Sequence, residues 1–341
     1  MTVSHPQLLF APLAFASSLV LTPLFARLAR ATRYLDHPDP RKTHARPTPL
    51  LGGVAIAVSV VFAYLAARVF FHETPSALPA GVIVGAALSL VLGLIDDRHP
   101  MRPLGKMGGQ VAAALCLVIW GPDVPWLHGS PLAMAGVVVF VVALLNAVNF
   151  LDAMDGVVGA AFPVITLGFV LLAVLCGAPV DAALGCSLIG ACSGFLVYNS
   201  PPARIFMGDA GSHLLGFMLA TLAIQSLALD LTVPRAAAVA ILLAYPLFDV
   251  LFVVIDRTLR KRPIYVGGVD HTTHRLSRKV GVWGTVGVVA LVAAASAALG
   301  LWVWDRSDTQ GAMAAVLILG LGYALFGVYL RRIGPTPSFD I

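Results

Sequence analysis

The stretch LAMAGVVVFVVALLNAVNFLDAMDG, residues 132–156, decides the class of this protein. From Leu132 to Leu145 it is apolar, and then Asn146, Asn149, Asp152 and Asp155 follow at every third position. A helix needs about 20 apolar residues to cross a bilayer, and the run 132–149 approaches that length. Polar residues three apart on a helix form one slowly drifting stripe. The stretch therefore predicts a membrane-crossing helix that ends in a carboxamide and carboxylate face. Taken singly, Asp152 or Asp155 reads as a solvated helix end. Two Asn and two Asp on one stripe instead supply oxygen ligands of the kind a hard cation such as Mg2+ prefers.

The rest of the chain repeats the pattern. Its 341 residues are 59% hydrophobic and 11% charged, with a mean hydropathy of +0.90. Soluble domains carry about 25% charged residues, so this chain lacks the polar surface to cover a water-soluble fold. The expected fold is all-α and polytopic, one membrane-embedded domain over 1–341. Eleven spans are predicted, near 7–30, 50–71, 77–95, 108–121, 132–149, 157–176, 180–198, 212–229, 234–255, 281–304 and 311–330. Loops after odd-numbered spans, with the C-terminal tail, hold 19 of the 22 Lys and Arg residues. The positive-inside rule then puts the N-terminus outside and the C-terminus in the cytoplasm. The same placement accounts for the net charge of +5 without a nucleic-acid partner. Cys116, Cys176, Cys186 and Cys192 lie in apolar stretches without a CxxC pair, as reduced core residues do.

Acidic residues at span edges are costly and usually functional. On the predicted cytoplasmic side they fall in loops near 31–49, 96–107, 150–156, 199–211 and 256–280. Asp96 and Asp97 end span three in LIDDRHPMRPLGK. A carboxylate pair at a helix C-terminus opposes the macrodipole unless a cation offsets it, and Arg98, Arg102 and Lys106 follow. Close like charges also raise one pKa, which suits a general base. Asp209 lies in FMGDAGSHLLG, where glycine, Ser212 and a helix N-terminus offer backbone N–H groups to an anion while Asp209 can bind a metal. In GGVDHTTHRLSRK, His271 and His274 lie three apart among basic residues. Phosphate contact or proton transfer fits them better than zinc, which would need further ligands. Together these residues predict Mg2+-dependent chemistry on a phosphate or diphosphate, with Mn2+ as the alternative ion.

LIDD…K, NxxNFLDxMDG, FMGDAGS and DHxxHRL, in this order, resemble the polyprenyl-phosphate N-acetylhexosamine-1-phosphate transferases. These include the phospho-MurNAc-pentapeptide translocase and the UDP-GlcNAc:undecaprenyl-phosphate GlcNAc-1-phosphate transferases, and RKTHARPTPLLGG and HRL look closer to the second branch. The resemblance implies that a UDP-sugar loses UMP while its sugar-1-phosphate joins undecaprenyl or another polyprenyl phosphate. It implies an inner-membrane enzyme with its site toward the cytoplasm, serving cell-wall or surface polysaccharide synthesis, with a homodimer as a candidate assembly. By the same analogy Asp96 and Asp97 match the aspartate pair, one of which would deprotonate the lipid phosphate. Asp209 matches the Mg2+ ligand and Asn149 an amide ligand. Asp152 and Asp155 match the acidic pair near the nucleotide, and Lys106 a lysine on the diphosphate. Asn199 and Phe206 match positions that hold the uracil. His271 and His274 match the outer members of a histidine motif, and Lys42 and Arg275 are candidate substrate contacts. Thr273 stands where many GlcNAc-type members have a further histidine, so a hydroxyl replaces a base there. A transporter would carry its charges near the midplane on broken helices, and a CDP-alcohol phosphotransferase would show an Ala-Arg pair after Asp155-Gly156. Neither is present.

Overall fold

The computed structural model describes residues 6–38, 46–71, 77–228, 231–263 and 268–334. They form twelve α-helices: α1 Phe10–Ala31, α2 Gly52–Phe71, α3 Ala80–Arg98, α4 Pro103–Trp120, α5 Pro131–Leu151, α6 Val157–Leu175, α7 Pro179–Asn199, α8 Gly208–Ala228, α9 Val233–Leu242, α10 Ala244–Leu259, α11 Thr272–Arg306 and α12 Thr309–Ile333. A two-residue antiparallel pair, β1 Leu35–Asp36 with β2 Thr48–Pro49, aligns Leu35 with Pro49 and Asp36 with Thr48.

Nine described helices are long and apolar enough to cross a membrane, or ten if the bent pair α9 and α10 counts as one span. α2 adds a further apolar stretch over Gly52–Ala67. This is a multi-pass membrane architecture. Leu65, Val139, Leu291, Leu317, Ile318 and Leu325 are largely exposed around its outside. Such a belt is stable only against lipid.

Four of the predicted spans depart from the sequence expectation. The span predicted at 234–255 breaks between α9 and α10 with a 71° bend. Pro246 has no N–H to give the Leu242 carbonyl, so the helix cannot run through. The span predicted at 281–304 is the second part of α11, and Gly281, at φ +73°, separates it from a helical segment that begins at Thr272. Part of the loop expected at 256–280 is therefore helical. α4 and α8 each begin a turn earlier than expected, which places Lys106 and Asp209 in first turns rather than in loops.

α8 is the central helix, buried at every residue from Ala210 to Gln225. It is packed by α3 and α5. Small residues let the backbones approach. A Cβ on Gly93 of α3 would meet the Ala210 nitrogen at 2.2 Å, and one on Gly53 of α2 the Gly211 nitrogen at 2.3 Å. The entry to α2 is pinned to the same place: Gly52 and Gly53 donate to the Phe206 and Met207 carbonyls at 3.0 Å, and Phe206 donates to Pro49 at 2.8 Å. Cys116, Cys176, Cys186 and Cys192 are free thiols, as expected.

Candidate active site

The N-terminus of α8 organises the site. Asp97, at the end of α3, accepts from the Asp209 and Ala210 amides at 2.8 and 3.2 Å. The sequence suggested that these N–H groups would meet an external anion, but the anion they meet is Asp97. Two opposed helix ends thereby settle each other: a carboxylate at the negative end of α3 rests on the positive end of α8. Gly208 is required for this. Its φ is +69°, and a Cβ there would lie 2.5 Å from Asp97 Oδ2.

Asp96 faces a different partner. Its Oδ1 accepts from the Met101 amide at 2.6 Å, and its Oδ2 lies 2.8 Å from Lys106 Nζ. Lys106 also lies 2.6 Å from Asp209 Oδ2, so one ammonium bridges the carboxylates of α3 and α8. From α5, Asn149 Nδ2 donates to Asp209 Oδ1 at 2.7 Å and to Ser212 Oγ at 2.9 Å. All four side chains are partly exposed, so the constellation opens to the end of the bundle.

Behind Asp209 runs a chain of polar side chains in which Asn146 of the predicted stripe meets Gln110 and His213, two buried residues that the sequence reading did not use. Asn146 Nδ2 donates to the Val142 carbonyl and to Gln110 Oε1, both at 2.8 Å. That fixes Gln110 with its NH2 toward His213 Nε2, at 3.0 Å. His213 Nδ1 must then hold a proton, which it donates to the Asp209 carbonyl at 2.7 Å. The histidine secures the backbone of the residue whose side chain faces the site.

The predicted stripe on α5 holds through Asn149 and then stops, because the helix ends at Leu151 with Asp152 as its C-cap. Asp155 leaves the stripe and accepts from the Ala203 amide at 2.9 Å, which ties the loop after α7 to the end of α5. The Asp152 carboxyl is pushed well above the usual carboxylate range, first by burial and then by the charges of Asp209, Asp97 and Asp155. Asn199 is buried and spent on backbone: Gly156 N–H donates to its Oδ1, and its Nδ2 donates to the Ile205 carbonyl, each at 3.0 Å. Phe206 is half-buried beside this loop.

The histidine segment forms a second, neighbouring cluster. His271 packs edge-to-face on Phe150, the residue after Asn149, with ring centroids 5.5 Å apart. Its Nδ1 lies 3.1 Å from Asp249. The His274 ring is 5.9 Å from that of His271. His274 Nδ1 and the Thr273 hydroxyl are buried and unpartnered among the described residues. Asp270 takes a two-pronged hydrogen bond from Arg257, at 2.6 and 2.7 Å. Burial pushes that carboxyl up, but the Arg257 guanidinium overrides it and holds it below the ordinary value. Arg275, a candidate substrate contact, is completely buried and faces inward, paired with Asp256. Arg260 and Arg331 share the same carboxylate at 3.0 and 3.1 Å. Lys42 lies outside the described residues. Asp249 and Asp256 were legible in principle: two carboxylates seven residues apart in an apolar helix share one face.

Among the described residues no three His, Cys, Asp or Glu side chains form a ready-made metal cage. The charge balance nevertheless fits a hard cation. Asp96, Asp97, Asp152 and Asp209 converge, and among the described residues Lys106 is the one ammonium bonded there, to Asp96 and Asp209. All the candidate ligands offer oxygen, as Mg2+ requires.

The paired carboxylates, the bridging lysine and the helix-end amides at one end of this polytopic bundle lie in a segment that has known relatives. Residues 79–227 match the sequence model of glycosyl transferase family 4. That segment takes in Asp96, Asp97, Lys106, Asn149, Asp152, Asp155, Asn199 and Asp209. The chain is 33% identical to a probable undecaprenyl-phosphate N-acetylglucosaminyl 1-phosphate transferase of Bacillus subtilis, over 76% of this chain and 74% of the relative. It is 30% identical to the decaprenyl-phosphate N-acetylglucosaminephosphotransferase of Mycobacterium tuberculosis, over 89% and 84%. A phospho-N-acetylmuramoyl-pentapeptide-transferase of Bifidobacterium animalis is also 30% identical, over 61% and 72%. This chain belongs to glycosyl transferase family 4.

Proposed function

We propose that this protein transfers a sugar-1-phosphate, of the N-acetylhexosamine class, from a UDP-sugar to undecaprenyl or another polyprenyl phosphate. The observation that carries this reading is the Asp96–Lys106–Asp209–Asn149 constellation at the helix ends. There a water-soluble nucleotide sugar and a membrane-held phosphate can meet. An oxygen of the lipid phosphate attacks the phosphorus that bears the sugar. A new diphosphate bond forms, and the bond to UMP breaks with its electron pair leaving on UMP.

Lys106, already between two carboxylates, would offer its ammonium to the diphosphate. Asp96 is better placed than Asp97 to meet the lipid phosphate, because its Oδ2 is paired with a lysine side chain that can swing away, whereas both Asp97 oxygens are held by fixed backbone amides of α8. Asp209, Asn149 and Asp152 would hold Mg2+, or Mn2+ in its place. Such an ion, when bound, would neutralise phosphate charge. The reading also takes eleven spans, counting α2 and the α9–α10 pair as one each, with the site toward the cytoplasm of a bacterial plasma membrane. Purified protein given polyprenyl phosphate and a panel of radiolabelled UDP-sugars should release UMP and form a lipid-linked diphosphate sugar. Silence across the whole panel would sink the proposal.

A further inference from the structure

Asp249 is completely buried on α10, and its bonded partners among the described residues come from the start of α11. Oδ1 accepts from the Thr272 amide at 3.0 Å and from the Thr272 hydroxyl. Oδ2 faces His271 Nδ1 at 3.1 Å. The Tyr245 hydroxyl lies 3.2 Å from Thr272 Oγ1. Since that threonine gives its proton to Asp249, Tyr245 is the donor. The result is a continuous chain, Tyr245 to Thr272 to Asp249 to His271.

Capping α11 explains half of this arrangement. Thr272 is the first residue of the helix, and its amide would otherwise be an orphan donor. The cap uses Oδ1 and leaves Oδ2 without a reason. A carboxylate can only accept, so Oδ2 requires a proton on His271 Nδ1 and leaves Nε2 as the nitrogen the ring presents. Phe150 holds the same ring edge-to-face, which ties its orientation to the end of α5. His274, three residues on, has no such anchor: its Nδ1 lacks any partner among the described residues.

We propose that Asp249 is a positioning residue that fixes the Nδ1–H form of His271 and aims Nε2 at the phosphate-bearing substrate. The proposal rests on the transferase reading above. Asp249→Asn separates positioning from capping. Its amide oxygen still accepts from Thr272, while its NH2 turns toward His271, forces Nδ1 to accept and moves the proton to Nε2. Protein labelled at histidine and held in nanodiscs should show the His271 proton on Nδ1 in the parent and on Nε2 in the variant by NMR. The kcat for UMP release should fall at least about tenfold, the scale of losing a residue that orients a ligand. The KM for the UDP-sugar should change little. His271→Gln should lose as much, and adding Asp249→Asn to it should lose no more. An unchanged tautomer, a parent-like kcat, or a further loss in the double variant would each overturn the proposal. Were no UDP-sugar turned over at all, the NMR result would still decide the tautomer, and only the transferase reading would fall.

Discussion

Lys106 stands where two carboxylates would otherwise repel each other, 2.8 Å from Asp96 and 2.6 Å from Asp209. Single side chains at this site therefore carry separable duties. Asp209→Asn keeps an oxygen for the Asn149 amide but removes the charge, so the fold should persist while metal-dependent UMP release collapses. The expected loss is at least about a hundredfold, since a bound divalent ion supplies several kcal/mol of charge stabilisation. Full activity in that variant would remove the metal assignment. Asp152 gives a pH signature. Its carboxyl is raised in the folded protein, so between the ordinary carboxylate value and the raised one the native state holds a proton that the unfolded chain releases. Stability contributed by that proton is present at low pH and is lost as pH rises. In the absence of divalent metal, Asp152→Asn should gain melting temperature relative to the parent on going from about pH 5 to about pH 8. A difference that stays flat would show that the carboxyl is not perturbed. The four carboxylates Asp96, Asp97, Asp152 and Asp209 stood out in the sequence because charge in an apolar chain is rare. The division of labour did not, because which oxygen of Asp97 meets which amide depends on how closely α3 approaches α8.

That approach is a property of elements. Gly93 lies one turn before Asp97, and the absence of its side chain sets the depth at which α3 seats on α8. Gly93→Ala places a methyl group 2.2 Å from the Ala210 nitrogen, against backbone that cannot swing aside. Overpacking of this kind costs about 1–3 kcal/mol and would lift Asp97 off the α8 amides. Purified Gly93→Ala should therefore melt lower and lose activity together. Gly108→Ala on α4, which meets nothing within 4 Å, should change neither. Equal behaviour of the two would mean that the glycine contact does not seat the helix. The helices themselves were largely legible, because runs such as 132–149 have no other stable state than a buried or lipid-facing helix. Their ends were not. Lys106 and Asp209 look like loop residues by polarity, yet they begin α4 and α8. Leu243 reads as mid-span until Pro246 removes the hydrogen bond that would carry the helix past it.

At the scale of the whole molecule, motifs spread from Asp96 to His274 meet at one end of the bundle. They do so because helices crossing alternately return each motif to the same side. Arg98 of α3 donates to the Arg33 carbonyl at 3.1 Å, and Arg331 of α12 pairs with Asp256 of α10, so the basic helix ends join there too. The lopsided count of Lys and Arg pointed to this shared end from the sequence alone. It could not reveal that Arg275 is an internal joint, since inward and outward guanidinium groups look alike in a loop. Positive charge gathered at one end predicts that this end faces the cytoplasm. Single cysteines at Asp36 and at Arg278, in a Cys176→Ala background, sit at the site end, whereas one at Gln310 sits beyond the far end of α11. In intact cells a membrane-impermeant maleimide should label the Gln310→Cys variant alone. The Asp36→Cys and Arg278→Cys variants should react only once the membrane is opened. Labelling of either in intact cells would invert the orientation and place the constellation on the side where no UDP-sugar is made. The transferase reading would then fail along with the topology, because the nucleotide donor and Asp209 would be separated by the bilayer.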